Sequence, residues 1–139
     1  MKVAAIAVAA LLSLTVPLKA ETIEDMVVRK ATDHGVPTDF ARALIKVESN
    51  FNPNVKGAKG EYGLGQILCS TARSEGFKGN CKELAKPEIN LEYTMLYLRR
   101  ALDQANGDIC GASNYYSTGF LTKPTKTTYC KLVLKNMPK

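Results

Sequence analysis

An acid on the apolar side of a helix is the feature that most constrains this chain. Residues 40–47 place their apolar members on one face when they are spaced at roughly 100° per residue, which predicts a helix. Glu48 lies on that face, between Leu44 and Ile45, and the segment 49–53 then breaks the helix. A carboxyl directed toward a core is costly unless it is paired, protonated or exposed to a cleft. We therefore predict that Glu48 lies at the mouth of a cleft, where a general acid could act.

A glycine-rich turn follows this acid in the sequence, with Gly63 fifteen positions after Glu48. Gly63 and Gly65 would let the backbone approach a ligand closely, and Gln66 could recognise hydroxyl or acetamido groups. Glu61 in the same loop is a candidate second acid, although a solvated or hydrogen-bonding role is favoured for it. The neighbouring Tyr62 could pack in the core or stack on a sugar. A helix-terminal acid alone is usually solvated, and the turn is what makes Glu48 a candidate site.

The first twenty residues are predicted to be a secretory signal peptide. Lys2 precedes the apolar run 3–14, and a small residue, Ala20, ends the segment. The apolar run is too short to span a membrane, and an uncleaved anchor is the alternative. The expected product is one domain over 21–139, located in the periplasm or secreted.

Composition bears on the partner of this domain. The formal charge of the chain is +6, and it falls to +4 without Lys2 and Lys19. A basic exported protein suits a polyanionic partner such as a cell wall or a membrane surface. The basic residues are scattered rather than clustered in a stripe, which argues against nucleic acid as the partner.

Four cysteines, all beyond residue 20, indicate disulfides formed in an oxidising compartment. Of the three possible connectivities we favour the local pairing Cys69–Cys81 and Cys110–Cys130. A zinc site is the alternative, but there is no C-x-x-C pair and the single histidine, His34, is remote in sequence. His34 precedes a glycine that closes a helix, and it receives no catalytic role.

Periodicity and capping signals predict a mainly helical domain. The first helix covers 21–33, and the helix that carries Glu48 is capped by Thr38 or Asp39. Phe51 is expected to pack back onto the core. The other expected elements are helical turns at 64–68 and 70–75, the second capped by Ser70, a short helix at 81–85, a long central helix from 87 to about 105, helices at 108–117 and 124–133, and a basic tail at 136–139.

Several motifs together resemble those of the soluble lytic transglycosylase domain, which is related to goose-type lysozyme. The resemblance extends from about residue 23 to 133 and implies a lysozyme-like helical fold with little or no β structure. In chain order the motifs are Glu48-Ser49, Gly63-Leu64-Gly65-Gln66-Ile67, Ser70-Thr71-Ala72, Pro87-Glu88-Ile89-Asn90, Tyr116 and Tyr129.

The resemblance implies cleavage of peptidoglycan glycan strands without metal or cofactor. Glu48 would protonate the leaving oxygen and then, as base, deprotonate the C6 hydroxyl of N-acetylmuramic acid, so that a 1,6-anhydro ring closes. Tyr116 and Tyr129 would orient Glu48 or the sugar. Ser49, Gln66, Ile67 and Asn90 would bind the substrate. By analogy with the family, a monomer could serve a secretion, conjugation or flagellar assembly.

Three positions depart from the family pattern. Cys69 replaces a usual proline, which fits a local disulfide. Gly65 replaces a usual Met or Phe, which would remove a side chain that flanks the sugar. Ser117 replaces the usual Asn when the motif is aligned on its glycine, whereas aligning it on Ala112 puts Asn114 at that position and loses the tyrosine. The glycine alignment is preferred because it keeps Tyr116.

Three other functions compete with this one. A muramidase would add water in the same cleft and leave reducing ends. A non-catalytic peptidoglycan-binding module would use the cleft without chemistry, which the intact Glu48-Ser49 pair argues against. A membrane-active protein would need a strongly basic amphipathic helix, and the sequence has none.

Overall fold

The computed structural model describes residues 19–123 and 125–139, so the predicted signal peptide lies almost entirely outside the described residues. The mainly helical expectation is confirmed. In the described ranges the extended structure amounts to two isolated antiparallel bridges, Lys56 with Tyr62 and Tyr62 with Ile67. The helices are α1 (Ile23–Asp33), α2 (Thr38–Ser49), α3 (Cys69–Ser74), a 3₁₀ helix (Cys81–Ala85), α4 (Pro87–Gln104), α5 (Ile109–Thr118) and α6 (Thr128–Asn136).

The first two helices begin where backbone and side-chain acceptors allow. Thr22 caps α1 in a reciprocal capping box with Asp25, so α1 starts at Ile23 rather than at residue 21. The predicted cap of α2 is wrong. The carbonyl of Pro37 accepts the Ala41 N–H at 3.0 Å, which makes Thr38 the first helical residue.

The 64–68 segment is not helical. Tyr62 and Ile67 exchange backbone hydrogen bonds of 3.0 and 3.2 Å and enclose a four-residue turn, which competes with helical pairing. Ser70 is not the cap of α3, because the Leu68 carbonyl accepts the Ala72 N–H at 3.0 Å and the helix starts at Cys69.

The last two helices also begin later than expected. Asp108 caps α5 from outside the helix by accepting the Gly111 N–H. The cap of α6 is Thr127, which accepts the Cys130 N–H, so α6 starts at Thr128 and not at residue 124. Gly119 ends α5 with a φ of 84°, a left-handed conformation that suits glycine.

Helix α4 is central, as its two apolar stripes predicted. It contacts α1, α3, the 3₁₀ helix and α5, while α2 packs against α1 and α6. The main core lies between these helices and is built from fully buried aliphatic and aromatic side chains, with Phe51 packed against it from outside. The largest are Phe40, Leu44, Ile45, Leu64, Leu91, Met95, Leu98 and Leu102.

Both predicted disulfides are present, and each links two neighbouring helices. Cys69–Cys81 joins α3 to the 3₁₀ helix, and Cys110–Cys130 joins α5 to α6, with Cα–Cα distances of 5.5 and 5.1 Å. A second small core of Ile67, Ala72, Phe77 and Leu84 lies beneath the turn and α3. The turn is therefore held on a packed base.

Charged side chains connect α1 to α4 on the outer surface. Lys30 pairs with Glu92 at 2.7 Å, and His34 Nε2 lies 3.0 Å from the same carboxylate. This places His34 in a surface ion-pair cluster. No helix within 19–123 and 125–139 is long and apolar enough to cross a membrane.

Candidate active site

The C-terminal end of α2 opens onto a cleft with a volume of about 300 Å³. One wall comes from the loop and turn that follow α2, and the other comes from tyrosines and a serine of α4, α5 and α6. The lining residues are Glu48, Gly57, Glu61, Gln66, Ile67, Leu68, Thr71, Tyr97, Tyr116, Ser117 and Tyr129. Glu48 therefore lies where the sequence predicted it, at the mouth of a cleft.

The environment of Glu48 favours its protonated form. Burial is the main cause that raises the pKa of this carboxyl to about 6, and the charge of Glu61 acts in the same direction. The Tyr129 hydroxyl donates a hydrogen bond to Oε1 of Glu48 and partly opposes the rise. Glu48 also lies in the last turn of α2, where the negative end of the helix dipole disfavours a second negative charge.

Two tyrosines from different helices reach the acid end of the cleft. Burial, followed by the nearby Glu48 charge, raises the pKa of Tyr129 far above its usual value, so its hydroxyl remains a donor. Tyr116 is almost wholly buried, and its hydroxyl donates to the Gly65 carbonyl at 2.6 Å. Tyr129 thus contacts the acid directly, whereas Tyr116 holds the glycine-rich turn.

Asn90 is fully buried and does not line the cleft, contrary to the expectation that it contacts substrate. Its Oδ1 accepts the Gly65 N–H at 2.9 Å, and its Nδ2 donates to the carbonyls of Tyr62 and Leu84, both at 2.7 Å. The Thr94 hydroxyl also donates to Oδ1 at 3.4 Å, so the remaining partner of the amide comes from α4 itself. The amide therefore fastens the turn to the first turn of α4.

Ser49 is also placed outside the cleft. It is buried, and its Oγ donates to the Ile45 carbonyl one helical turn earlier at 3.2 Å. A Ser hydroxyl bonded to its own helix is a common way to satisfy a buried polar group. Because Ser49 is one residue further along the helix than Glu48, its side chain points about 100° away and into the interior.

Gln66 and Ile67 do line the cleft, as predicted. Gln66 has a φ of 47°, which is uncommon for a residue with a side chain, and its Nε2 donates to the carbonyls of Gly63 and Val55. Its Oε1 accepts no hydrogen bond from the described residues. Toward a ligand Gln66 can therefore act as an acceptor.

The glycine at position 65 is required by the interior rather than by the cleft. A Cβ added to Gly65 would lie 2.1 Å from Oγ1 and 2.6 Å from Cγ2 of Thr94, a buried residue of α4. A side chain there would therefore point at α4. The expectation that this departure removes a group flanking the sugar stays a prediction, and the space directly beside Gly65 is filled by Thr94.

The two alignments of the motif put either Ser117 or Asn114 at the position of the usual Asn, and both residues have a defined place near the cleft. Ser117 lines the cleft next to Tyr116, as the glycine alignment expects. Asn114 is buried behind it, where its Oδ1 accepts the Thr127 hydroxyl and its Nδ2 donates to the Thr125 carbonyl at 2.8 Å. Asn114 thus positions the start of α6, the helix that carries Tyr129.

Six lining residues were not predicted as site residues, and two of them, Glu61 and Ser117, were considered only as a second acid and as a motif position. Tyr97 lay on the second apolar stripe of α4, and a hydroxyl on such a stripe is a signal that could have marked it. Leu68 and Thr71 adjoin the recognised motifs, while nothing in the sequence distinguishes Gly57. Among residues 19–123 and 125–139, no group of three or more His, Cys, Asp or Glu side chains is placed to hold a metal ion.

The fold has close counterparts among solved structures of lytic transglycosylases. The lytic transglycosylase Slt from Pseudomonas aeruginosa, solved as an inactive mutant in which glutamine replaces a glutamate, is 25% identical with a TM-score of 0.64, over 68% of this chain and 16% of that chain. The 70-kDa soluble lytic transglycosylase from Escherichia coli is 24% identical with a TM-score of 0.65, over 81% of this chain and 19% of that chain. A complex of the 70-kDa soluble lytic transglycosylase with bulgecin A matches with the same values.

These matches define the class of the molecule as a helical domain with the lytic transglycosylase fold. The family model described as the transglycosylase SLT domain matches residues 25–131. The chain belongs to the transglycosylase SLT domain family. It covers less than a fifth of the length of each of these lytic transglycosylases.

Proposed function

We propose that this protein is a peptidoglycan lytic transglycosylase. It would cleave the β-1,4 bond between N-acetylmuramic acid and N-acetylglucosamine and leave a 1,6-anhydromuramoyl end. The observation that carries the proposal is Glu48, an acid in an open cleft whose pKa burial raises to about 6. Such a group is partly protonated near neutral pH and suits general acid catalysis. Family membership supports the same reaction.

In the first step Glu48 donates its proton to the bridging oxygen. The bond from C1 of N-acetylmuramic acid to that oxygen breaks, and its electron pair stays with the leaving N-acetylglucosamine. Positive charge develops at C1, as in glycoside cleavage generally. Tyr129 would hold the carboxyl in place through its hydrogen bond to Oε1.

In the second step the Glu48 carboxylate acts as base. It takes the proton from the C6 hydroxyl, and the oxygen forms a bond to C1 and closes the anhydro ring. Water is not consumed, and the carboxyl regains the proton it gave. A single residue thus serves both steps, which fits a site with one acid deeply placed against apolar surroundings.

Substrate would lie along the turn and the tyrosine wall. Gln66 offers an acceptor for a hydroxyl or acetamido N–H, and Ile67 offers an apolar contact. Tyr116 would act through the turn that it holds. Ser49 and Asn90 are buried in hydrogen bonds to backbone groups, so they would act through the positions of Glu48 and of the turn.

The cellular setting follows by analogy. Export by the predicted signal peptide would bring a basic monomer to glycan strands in the periplasm. A 70-kDa soluble lytic transglycosylase of the same fold is known in complex with bulgecin A, which supports the proposal that a domain of this kind holds a ligand. By opening local gaps in the cell wall, the enzyme would make room for a secretion, conjugation or flagellar assembly.

Digestion of purified sacculi tests the proposal. Wild-type protein should release 1,6-anhydromuropeptides detectable by mass spectrometry. The rate of this release should fall by about 10²–10⁴-fold or more in Glu48→Gln, because one residue serves as acid and base. Glu24→Gln is the matched control, since Glu24 is an exposed partner of Arg42 on the outer surface.

Product analysis separates this function from its rivals. Reducing ends in place of anhydro ends would identify a muramidase. Binding of sacculi without release of any fragment would identify a non-catalytic module. A Glu48→Gln variant that works at the wild-type rate would remove Glu48 from the mechanism.

A further inference from the structure

A second carboxylate, that of Glu61, lines the same cleft as Glu48. Its backbone carbonyl accepts the Gly57 N–H at 3.0 Å, and its side-chain Oε2 accepts the Lys59 N–H at 2.8 Å. Both bonds lie within one short loop. The carboxylate is therefore held in a defined position rather than extended into solvent.

Gly57 makes room for this arrangement. A Cβ added at Gly57 would lie 2.2 Å from Oε2 of Glu61 and 2.8 Å from Oε1 of Gln66. Any larger residue would push these two acceptors out of their positions. The absence of a side chain at Gly57 thus lets two acceptor groups meet on one wall of the cleft.

The charge of Glu61 is not neutralised by a neighbouring base. No ion pair to Glu61 occurs among residues 19–123 and 125–139, although most other acids of this highly basic chain have one. Its charge also acts on Glu48, where it adds to the rise in pKa that burial causes. An unneutralised anion fixed in a cleft is poised to interact with a cation.

We propose that Glu61 is a second functional carboxylate of the cleft, which stabilises the positive charge that develops at C1 of the sugar during bond cleavage. The inference rests on the proposed transglycosylase function and adds to it. Glu61 forms no covalent bond and exchanges no proton, so the balance of the reaction is unchanged. Preorganised charge aimed at a developing charge is an effective catalytic device, and it acts without reorganisation during the reaction.

A purely structural loop acceptor is the alternative role, and it makes different predictions. Any side chain with an oxygen in reach of the Lys59 N–H could serve as such an acceptor. Glu61→Gln keeps this oxygen and removes only the charge. The variant therefore separates the two roles.

The test measures kcat, KM and the pH profile of kcat/KM for anhydromuropeptide release. Glu61→Gln should lower kcat by about 10- to 100-fold with little change in KM and in melting temperature. The high-pH limb, which reports loss of the Glu48 proton, should move to lower pH because the charge of Glu61 no longer raises the pKa of Glu48. Glu61→Asp should restore part of kcat, and the surface variant Glu24→Gln should resemble wild type.

Two outcomes would overturn the inference. One is a Glu61→Gln variant with wild-type kcat and an unmoved limb, while Glu48→Gln is inactive. The other is a loss of activity that is matched by a fall in melting temperature and leaves the limb in place, which would make Glu61 a loop acceptor only. Both leave the proposed function standing, because that function fails only if wild-type protein releases no anhydro product or Glu48→Gln retains activity.

Discussion

Glu48 illustrates, at the scale of one residue, how catalytic readiness opposes stability. Its carboxyl loses hydration by burial at the negative end of α2 and is compensated by one donor, Tyr129. The ionised form is therefore disfavoured in the folded protein. The same imbalance that keeps a proton available near neutral pH makes the folded state less stable once that proton leaves.

The sign of this effect can be measured with Glu48→Gln. The pKa of Glu48 is about 6 in the folded state against 4.5 for the free side chain, so wild-type protein loses stability as pH rises from about 4.5 to 6 and the loss stays constant above that. The shift corresponds to about 2 kcal/mol. Glu48→Gln should therefore be more stable than wild type by up to about 2 kcal/mol at pH 8, and the difference should vanish near pH 4.

Urea unfolding at both pH values checks this expectation. Glu24→Gln serves again as the control, because an exposed ion pair contributes little at either pH. A Glu48→Gln variant that is less stable than wild type at pH 8 would contradict the raised pKa.

At the scale of elements, the turn from Gly63 to Ile67 depends on helix α4. Asn90 binds the backbone of the turn from below, Tyr116 binds it from α5, and Gly65 packs against Thr94 with no room for a side chain. The wall of the cleft is thus positioned by buried contacts. The position of this wall therefore depends on the packing of residues that do not contact the ligand.

A double-mutant cycle tests the contact between Gly65 and Thr94. Gly65→Ala should destabilise the protein by about 1–3 kcal/mol, because the new methyl group overlaps the Thr94 side chain. Gly65 does not have a positive φ, so the loss measures packing rather than backbone strain. Thr94→Ala removes the two closest atoms and should recover part of the stability in the double variant, with a coupling of about 0.5–3 kcal/mol.

Thermal and urea unfolding of the four proteins give the coupling energy. Additive effects of the two substitutions would mean that the turn moves away from α4 without strain. In that case the cleft wall would be less firmly attached than the contacts indicate.

At the scale of the whole molecule, the two disulfides secure opposite sides of the cleft. Cys110–Cys130 joins α5 to α6, next to Tyr129, and Cys69–Cys81 joins α3 to the 3₁₀ helix beside the turn. Each closes a loop of 12 or 20 residues, and such loops contribute about 3 kcal/mol through the unfolded state. The two disulfides therefore stabilise different parts of the site, Tyr129 in one case and the glycine-rich turn in the other.

Removal of each pair should separate stability from activity. Both the Cys69→Ala/Cys81→Ala and the Cys110→Ala/Cys130→Ala proteins should lose about 3 kcal/mol of unfolding free energy. The second should also show the larger fall in kcat, because α6 carries the donor to Glu48. Equal losses of kcat, or crossed pairs in a non-reducing peptide map of the wild type, would contradict this assignment.

Much of the fold could be predicted from the sequence because its signals are local. The 3.6-residue periodicity predicted α1, α2 and α4 and placed α4 at the centre, capping and turn residues indicated the shorter helices, and the apolar face of α2 located Glu48 at a cleft. The disulfides could be paired because both close short loops. These features depend on residues a few positions apart, or on chain entropy that rises with loop length.

Only the tertiary structure decided the partners of the polar groups. Tyr129 meets Glu48 across 81 positions, Asn90 turns away from the cleft to bind backbone, and Thr94 takes the space beside Gly65. The start of α6 is likewise fixed by Thr127 and its contact with Asn114. A buried polar group takes whichever partner packing brings within hydrogen-bond distance, and that partner is not encoded in the local spacing of residues. The sequence alone therefore determines that an acid faces a cleft, whereas the packing of distant helices determines which groups set its proton affinity and shape the walls around it.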